Sequence, residues 1–292
     1  MKGYQTHTQT GILLNANEAS QNVDDNVKQE ILDAISNLAF NRYPDTTCHE
    51  LHDLYANIMN VPSSWILSGN GSDQMLGFLI QYYGQGNKTL YTLAPDFSMY
   101  DYYVELNHAK IEKFETSLDG SFDVDTFISN GKNKKVDMIL FSNPNNPTGH
   151  AISKSEMIQI CEAFSNIPVI FDEAYMEFGN ESAIDLLKTY PMVFVCRTLS
   201  KAYGLAGIRC GFMLGQQVEK LRDLFIPYAL SSVTQTIASV VLKHADAYKD
   251  NMATIISERE RMYQEVKEFK KLTIYPSNAN FLFGRSEKKD LL

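Results

Sequence analysis

The 292 residues are 44% hydrophobic and 21% charged, an ordinary globular composition with length enough for one large core or two domains. A formal net charge of −9 argues against nucleic acid or an anionic membrane surface as the main partner. No apolar run approaches the roughly 18 residues of a membrane span, the start carries no apolar stretch of signal-peptide length, and the four cysteines (Cys48, Cys161, Cys196, Cys210) form no CxxC pair, so a reduced, cytoplasmic setting is expected.

In chain order, "CHELH" (48–52) is the first candidate for chemistry. Its histidines stand at i and i+3, whereas HExxH needs i and i+4, so it reads as an amphipathic helix and no metal is expected. Seven β-rich runs follow: "SWIL" (64–67), "KTLYTL" (88–93), "AKIEKF" (109–114), "VDMILFSN" (136–143), "IPVIFDEA" (167–174), "PMVFVCRT" (191–198) and "GIRCGFML" (207–214). Helical periodicity lies between most of them, as in "SEMIQICEAF" (155–164). Such alternation predicts an α/β domain, three layers α/β/α, on a mostly parallel seven-stranded sheet. "MILF" and "VIF" are apolar throughout, as strands buried on both faces are.

One connection breaks the pattern. Only residues 199–206 join the sixth run to the seventh, while a parallel crossover takes about a dozen or more. The seventh strand is therefore predicted antiparallel, with Lys201 in the turn.

After residue 230 two long helical stretches appear, "SSVTQTIASVVLKHADAYKD" and "NMATIISERERMYQEVKEFKK", the second with Glu258–Arg261 and Glu268–Lys271 spaced for weak pairing. A strand pair then opens at "LTIYP" and "NANFLF", and its sheet is not closed by Leu292. The expectation is a large domain over 41–245 and an incomplete small α+β domain from 1–40 and 246–292, with whether the chain is a fragment left open.

In open parallel sheets ligands bind beyond the carboxyl ends of the strands. The residues predicted there are few. "SGNGSDQ" follows the first run and opens a helix near Ser72; "APDFSMY" with Phe97 follows the second; "SNPNNPTG" with Asn146 follows the fourth. "DEAY" with Asp172 and Tyr175 follows the fifth, and "RTLSK" with Thr198, Ser200 and Lys201 follows the sixth. A helix N-terminus with two hydroxyls and the guanidinium of Arg209 suits a phosphate. A carboxylate at a buried strand end suits a protonated ring nitrogen, and an aromatic ring suits a flat cofactor face. A desolvated lysine beside another cation can become a nucleophilic amine. Together these describe pyridoxal 5′-phosphate. Singly each has a plainer reading: Asp172 a helix cap, Asn146 a turn cap, Phe97 and Tyr175 core aromatics, Lys201 solvated surface. Their common position at one end of one sheet favours the joint reading.

"NNPTG", "DEAY" and "SKAYGLAGIRCGF" resemble the signatures of the class I/II pyridoxal-phosphate-dependent aminotransferases of fold type I. "LLNANE" (13–18), "NRYP" (41–44), "DEAYMEF" (172–178) and "RTLSKAYGLAGIRCGF" (197–212) are similar to the histidinol-phosphate aminotransferases among them. The resemblance spans essentially the whole chain. It implies that Lys201 bonds the cofactor aldehyde, that Asp172 pairs with the ring nitrogen, and that Tyr175 and Asn146 bond the ring hydroxyl oxygen. It further implies that Phe97, where the subgroup more often has tyrosine, stacks on the ring. Thr198, Ser200, Arg209 and the backbone of Gly71, Ser72 and Asp73 would hold the phosphate. Tyr43 would reach the cofactor of a second subunit in a homodimer, and Tyr4 and Asn17 would border the substrate. The implied reaction moves an amino group from a small-molecule donor to a keto acceptor, with Lys201 as general base, in histidine biosynthesis. The family's late "R-(I/V)-(S/T)-x-G" segment, which carries a substrate-binding arginine, does not occur by Leu292. Other readings stay open: an aromatic or other amino-acid aminotransferase, a threonine-phosphate decarboxylase on the same scaffold, or a cofactor-binding protein inactive without that segment. A dinucleotide oxidoreductase would want a fuller glycine fingerprint and leaves Lys201 without a task.

Overall fold

The computed structural model describes residues 11, 13–179 and 181–286. Its centre is a seven-stranded sheet in the order β1-β7-β6-β5-β4-β2-β3. The strands are β1 (Ile66–Asn70), β2 (Thr89–Ala94), β3 (Lys110–Glu115), β4 (Met138–Ser142), β5 (Val169–Asp172), β6 (Val193–Thr198) and β7 (Cys210–Leu214). β7 lies between β1 and β6 and is antiparallel to both, while β2 to β6 pair in parallel. The short link around Lys201 thus turns the chain back.

Alternate residues of the central strands feed two cores, one per face. Phe141, Phe171, Val195 and Phe212 enter one core, where Phe212 stacks on Tyr55 of helix α2 (His49–Met59) at 3.8 Å. Leu140, Ile170, Phe194, Cys196 and Met213 enter the other, against Met75, Leu76 and Leu79 of helix α3 (Gly71–Tyr83). Burial on both faces explains the unbroken apolar runs of β4 and β5. Helix α4 (Met99–Leu106) follows β2. Helix α5 (Val124–Lys134) precedes β4, and α6 (Lys154–Ala163) follows it, begun by a capping box of Ser153 and Glu156.

After β7 come α7 (Val218–Arg222), α8 (Ser232–Lys243) and α9 (Tyr248–Val266). Helix α1 (Asp25–Ser36) packs on α8, burying Val27 and Ile31. No described helix is long and apolar enough to cross a membrane.

Several boundaries differ from expectation, β4 to β7 by two or three residues at an end. Ser63–Trp65 is a single 3₁₀ turn, and β1 starts at Ile66 and runs through Ser68 and Gly69, because their backbones pair with Phe212 and Gly211 of β7. Helix α9 ends at Val266, so Arg261 pairs with Glu258 as predicted, while Glu268 and Lys271 lie beyond the helix. The last hairpin pairs β8 (Leu272–Tyr275) with β9 (Phe283–Ser286), later than "NANFLF" suggested. Residues 278–280 are otherwise engaged: the Asn278 N–H donates to Gly149 O at 2.8 Å, and Asn280 Nδ2 donates to Asn17 O at 3.0 Å.

Candidate active site

The carboxyl ends of β4, β5 and β6, the β1–α3 turn and the loop after β2 enclose one pocket. Ser72, Asp73, Phe97, Asn146, Asp172, Tyr175, Thr198, Ser200, Lys201 and Arg209 all line it, with Ser142 and Ala174. Gly71 opens α3 at its rim. The predicted residues therefore meet, Asn17 through its bond to Tyr175, apart from Tyr43 and Tyr4, whose places follow below.

The deep end belongs to Asp172, 3% exposed at the end of β5. Its Oδ2 accepts from Tyr100 Oη at 2.8 Å and its Oδ1 from the Ala174 N–H at 3.2 Å. Burial pushes its carboxyl up to about 7, against the pull of the Tyr100 donor. Asp96, just after β2, accepts from Ser142 Oγ and from the backbone N–H of Phe97. Enclosure of its carboxyl drives it to about 8.

Lys201 stands across the pocket. Its Nζ donates to Ala16 O at 2.6 Å and lies 5.5 Å from the Tyr175 ring centroid. Burial lowers its pKa, and Arg209 adds to the lowering while Asp73 and Glu18 oppose it. The amine is thereby biased toward the neutral, nucleophilic form. Tyr175 Oη accepts from Asn17 Nδ2 at 3.1 Å, so Asn17 does reach the site.

The shallow end is a cradle for an anion. Thr198 Oγ1 donates to Ser200 Oγ at 2.9 Å beside the start of α3. Gly71 has φ +78°, and a Cβ there would strike the Arg209 guanidinium. A side chain at Gly211 would run into the Gly71–Ser72 backbone, so the absence of one lets α3 begin against β7. Arg209 precedes β7 rather than lying within it, at φ +58°, and accepts the Gly71 N–H on its carbonyl at 3.0 Å. Although its own stretch holds no acid, Nη2 pairs with Asp73 Oδ2 at 2.9 Å, a partner brought from the distant α3. The donor set, a helix start with two hydroxyls and a guanidinium, fits a phosphate. This cradle shares one pocket with Asp172, Lys201 and Phe97, a lining whose chemistry fits pyridoxal phosphate.

Some positions fall outside. Tyr4 lies outside the described residues. Tyr43 is 81% exposed and stacks on Tyr228 at 4.6 Å, away from the pocket. His52 of "CHELH" is buried against Ser68 Oγ at 2.9 Å, and burial lowers it to about 4. Tyr100, Asp96 and Ser142 escaped the sequence reading. Tyr100 lies three residues after Phe97, whose carbonyl accepts the Tyr100 N–H at 3.1 Å as α4 begins, and that spacing was the available signal.

Residues 9–287 match the family described as Aminotransferase class I and II. The chain is 34% identical over 278 residues to a histidinol-phosphate aminotransferase of Clostridium novyi, covering 94% of this chain and 78% of that protein. Its fold is similar to that of a histidinol-phosphate aminotransferase from Sinorhizobium meliloti solved with pyridoxal-5′-phosphate, with TM-score 0.85, 22% identity, and coverage of 94% and 75% of the two chains. It is also similar to an L-threonine-O-3-phosphate decarboxylase from Porphyromonas gingivalis, with TM-score 0.77, 19% identity, and coverage of 90% and 79%. Likenesses this distant share a scaffold across two reaction types, so the fold alone does not choose between them.

Proposed function

Because this chain belongs to the class I and II aminotransferase family, we propose that its pocket holds pyridoxal phosphate and transfers an amino group from histidinol phosphate to 2-oxoglutarate. The carrying observation is the pairing, across one pocket, of a lysine biased toward neutrality with a buried carboxylate, beside a ready phosphate cradle. The name borne by the Clostridium novyi relative supports this substrate.

The bound cofactor supplies an aldehyde that bonds amines and a protonated ring that takes up charge from a substrate carbon. The chain's own groups do the rest. Asp172 would face the ring nitrogen and hold its proton. Asn146 and Tyr175 would orient the ring hydroxyl oxygen, and Phe97 would cover a ring face. Gly71, Ser72, Asp73, Thr198, Ser200 and Arg209 fix the phosphate. Lys201 Nζ would bond the cofactor aldehyde and, once free, would accept the proton from substrate Cα as general base. Asn17 would border the substrate.

Several further points belong to the same reading. The large domain is 41–245, and 1–40 with 246–292 form the small one; the packing of β8 on α9 supports the second segment as a unit, and α1 packs across the division on α8. The active unit is a homodimer in which Tyr43 reaches the partner's cofactor. Exposed Tyr43, Leu106, Leu224, Ile226 and Tyr228 support it, each more than two-fifths exposed. Four free cysteines support a reduced, cytoplasmic setting.

The test supplies pyridoxal phosphate and compares histidinol phosphate with phenylalanine as donor to 2-oxoglutarate, with threonine phosphate followed for CO₂. Faster glutamate formation from histidinol phosphate is expected. Preference for phenylalanine, or CO₂ release, would replace the proposed reaction.

A further inference from the structure

We infer that Tyr100 is a positioning residue for this chemistry, its phenol holding Asp172 in the pose and charge that the ring nitrogen requires. The inference rests on the proposed pairing of Asp172 with that nitrogen.

Tyr100 sits in the first turn of α4 and is 1% exposed. It belongs to an apolar core cluster that also holds Leu67, Met75, Leu76, Val104 and Leu140. A phenylalanine would pack there equally well, and a buried hydroxyl without a partner is costly. The hydroxyl does have a partner, Asp172 Oδ2 at 2.8 Å. The same ring meets Phe97 edge-on, with centroids 5.7 Å apart and planes at 88°. One side chain thus braces both the carboxylate and the aromatic wall of the pocket.

The carboxylate needs that donor. The charged and titratable groups around Asp172 are Asp73 from α3, Asp96 from the loop after β2, Glu173 from its own strand end, Cys196 from β6 and Lys201 from the turn. Asp73 and Glu173 favour its neutral form, as burial does. Against them stand the Ala174 N–H and the Tyr100 phenol, and the phenol is the stronger of the two. A neutral Asp172 could not keep a ring nitrogen protonated. Tyr100 therefore acts through Asp172, without touching the cofactor itself.

The test has two arms. In the cofactor-free full chain, Asp172 is titrated by its isotope-edited infrared carboxyl band, assigned with Asp172→Asn. The expected midpoint is about 7, moving up by about one to two pH units in Tyr100→Phe, as loss of a hydrogen bond to a charged group implies. An unmoved midpoint overturns the inference. Should Tyr100→Phe not fold, 3-fluorotyrosine placed at position 100 decides. It is a stronger donor of nearly the same shape, and the midpoint should move down; a midpoint that stays or rises overturns the inference.

In the second arm, pyridoxal phosphate affinity is measured by fluorescence. Tyr100→Phe should weaken it roughly tenfold, and should add nothing in an Asp172→Asn background. Equal losses in both backgrounds would mean a merely structural tyrosine and overturn the inference. If Asp172→Asn binds pyridoxal phosphate as the unmodified chain does, the assignment of Asp172 to the ring nitrogen fails. The infrared arm then still decides whether Tyr100 governs Asp172.

Discussion

At the deep end of the pocket Asp172 is 3% exposed, whereas at the shallow end Arg209 and Asp73 keep 43% and 35% of their side-chain surface in solvent. The deep carboxylate is destabilised by burial and depends on donors placed around it. The shallow pair is screened by water and contributes little to stability. The contrast teaches a division of labour. On the proposed reading, the group that would stay charged toward a ring nitrogen is buried and braced, and the group that would receive a phosphate is left wet, with an ion pair that an incoming anion can displace.

The deep end is also tied to a buried ion cluster. Arg197 of β6 bonds Glu173 at 2.7 Å and Glu177 at 2.9 Å, with side chains no more than 9% exposed. This joins the segment carrying Asp172 and Tyr175 to the strand leading to Lys201. Arg197→Met should leave two buried carboxylates unpaired and cost about 3–5 kcal/mol of stability, read by urea unfolding. A loss below about 1 kcal/mol, the scale of an exposed pair, would erase the difference between the two ends.

The shallow end gives the next effect. Arg209→Gln should weaken pyridoxal phosphate by roughly ten- to a hundredfold and leave pyridoxal nearly unchanged, as loss of a charge-assisted phosphate contact implies. Equal weakening of both ligands would place Arg209 elsewhere than on the phosphate.

The smallest effect sharpens the electrostatics of the deep end. Asp172 ionises near 3.8 unfolded and near 7 folded. Between those values the folded chain binds the extra proton, so stability falls as pH rises through the window. Asp96, raised to about 8, extends the fall upward. Without cofactor, the urea midpoint should be lower at pH 8 than at pH 5, and Asp172→Asn should flatten the slope. A midpoint that rises with pH in the unmodified chain and is untouched by Asp172→Asn would mean that both carboxyls are solvated.

Much of this was legible in the sequence, for physical reasons. Doubly buried strands leave unbroken apolar runs, and an eight-residue link is too short for a parallel crossover. The residues just past those strands converge because strand ends of a parallel sheet converge. Side-chain contacts across distant elements leave no such trace. Nothing near Arg209 names Asp73 as its partner, and nothing near Asp172 names Tyr100. The start of β1 and the register of β9 were misjudged because backbone pairing with β7, and the engagement of residues 278–280 with Gly149 and Asn17, override local pattern.

The central claim is that Lys201 is the amine that bonds the cofactor. Its most direct test is to incubate the full chain with pyridoxal phosphate, reduce with borohydride, and map the modified peptide by mass spectrometry. The account expects one pyridoxyl group on Lys201, absent from Lys201→Ala. A label on another lysine, or one retained in Lys201→Ala, would contradict it.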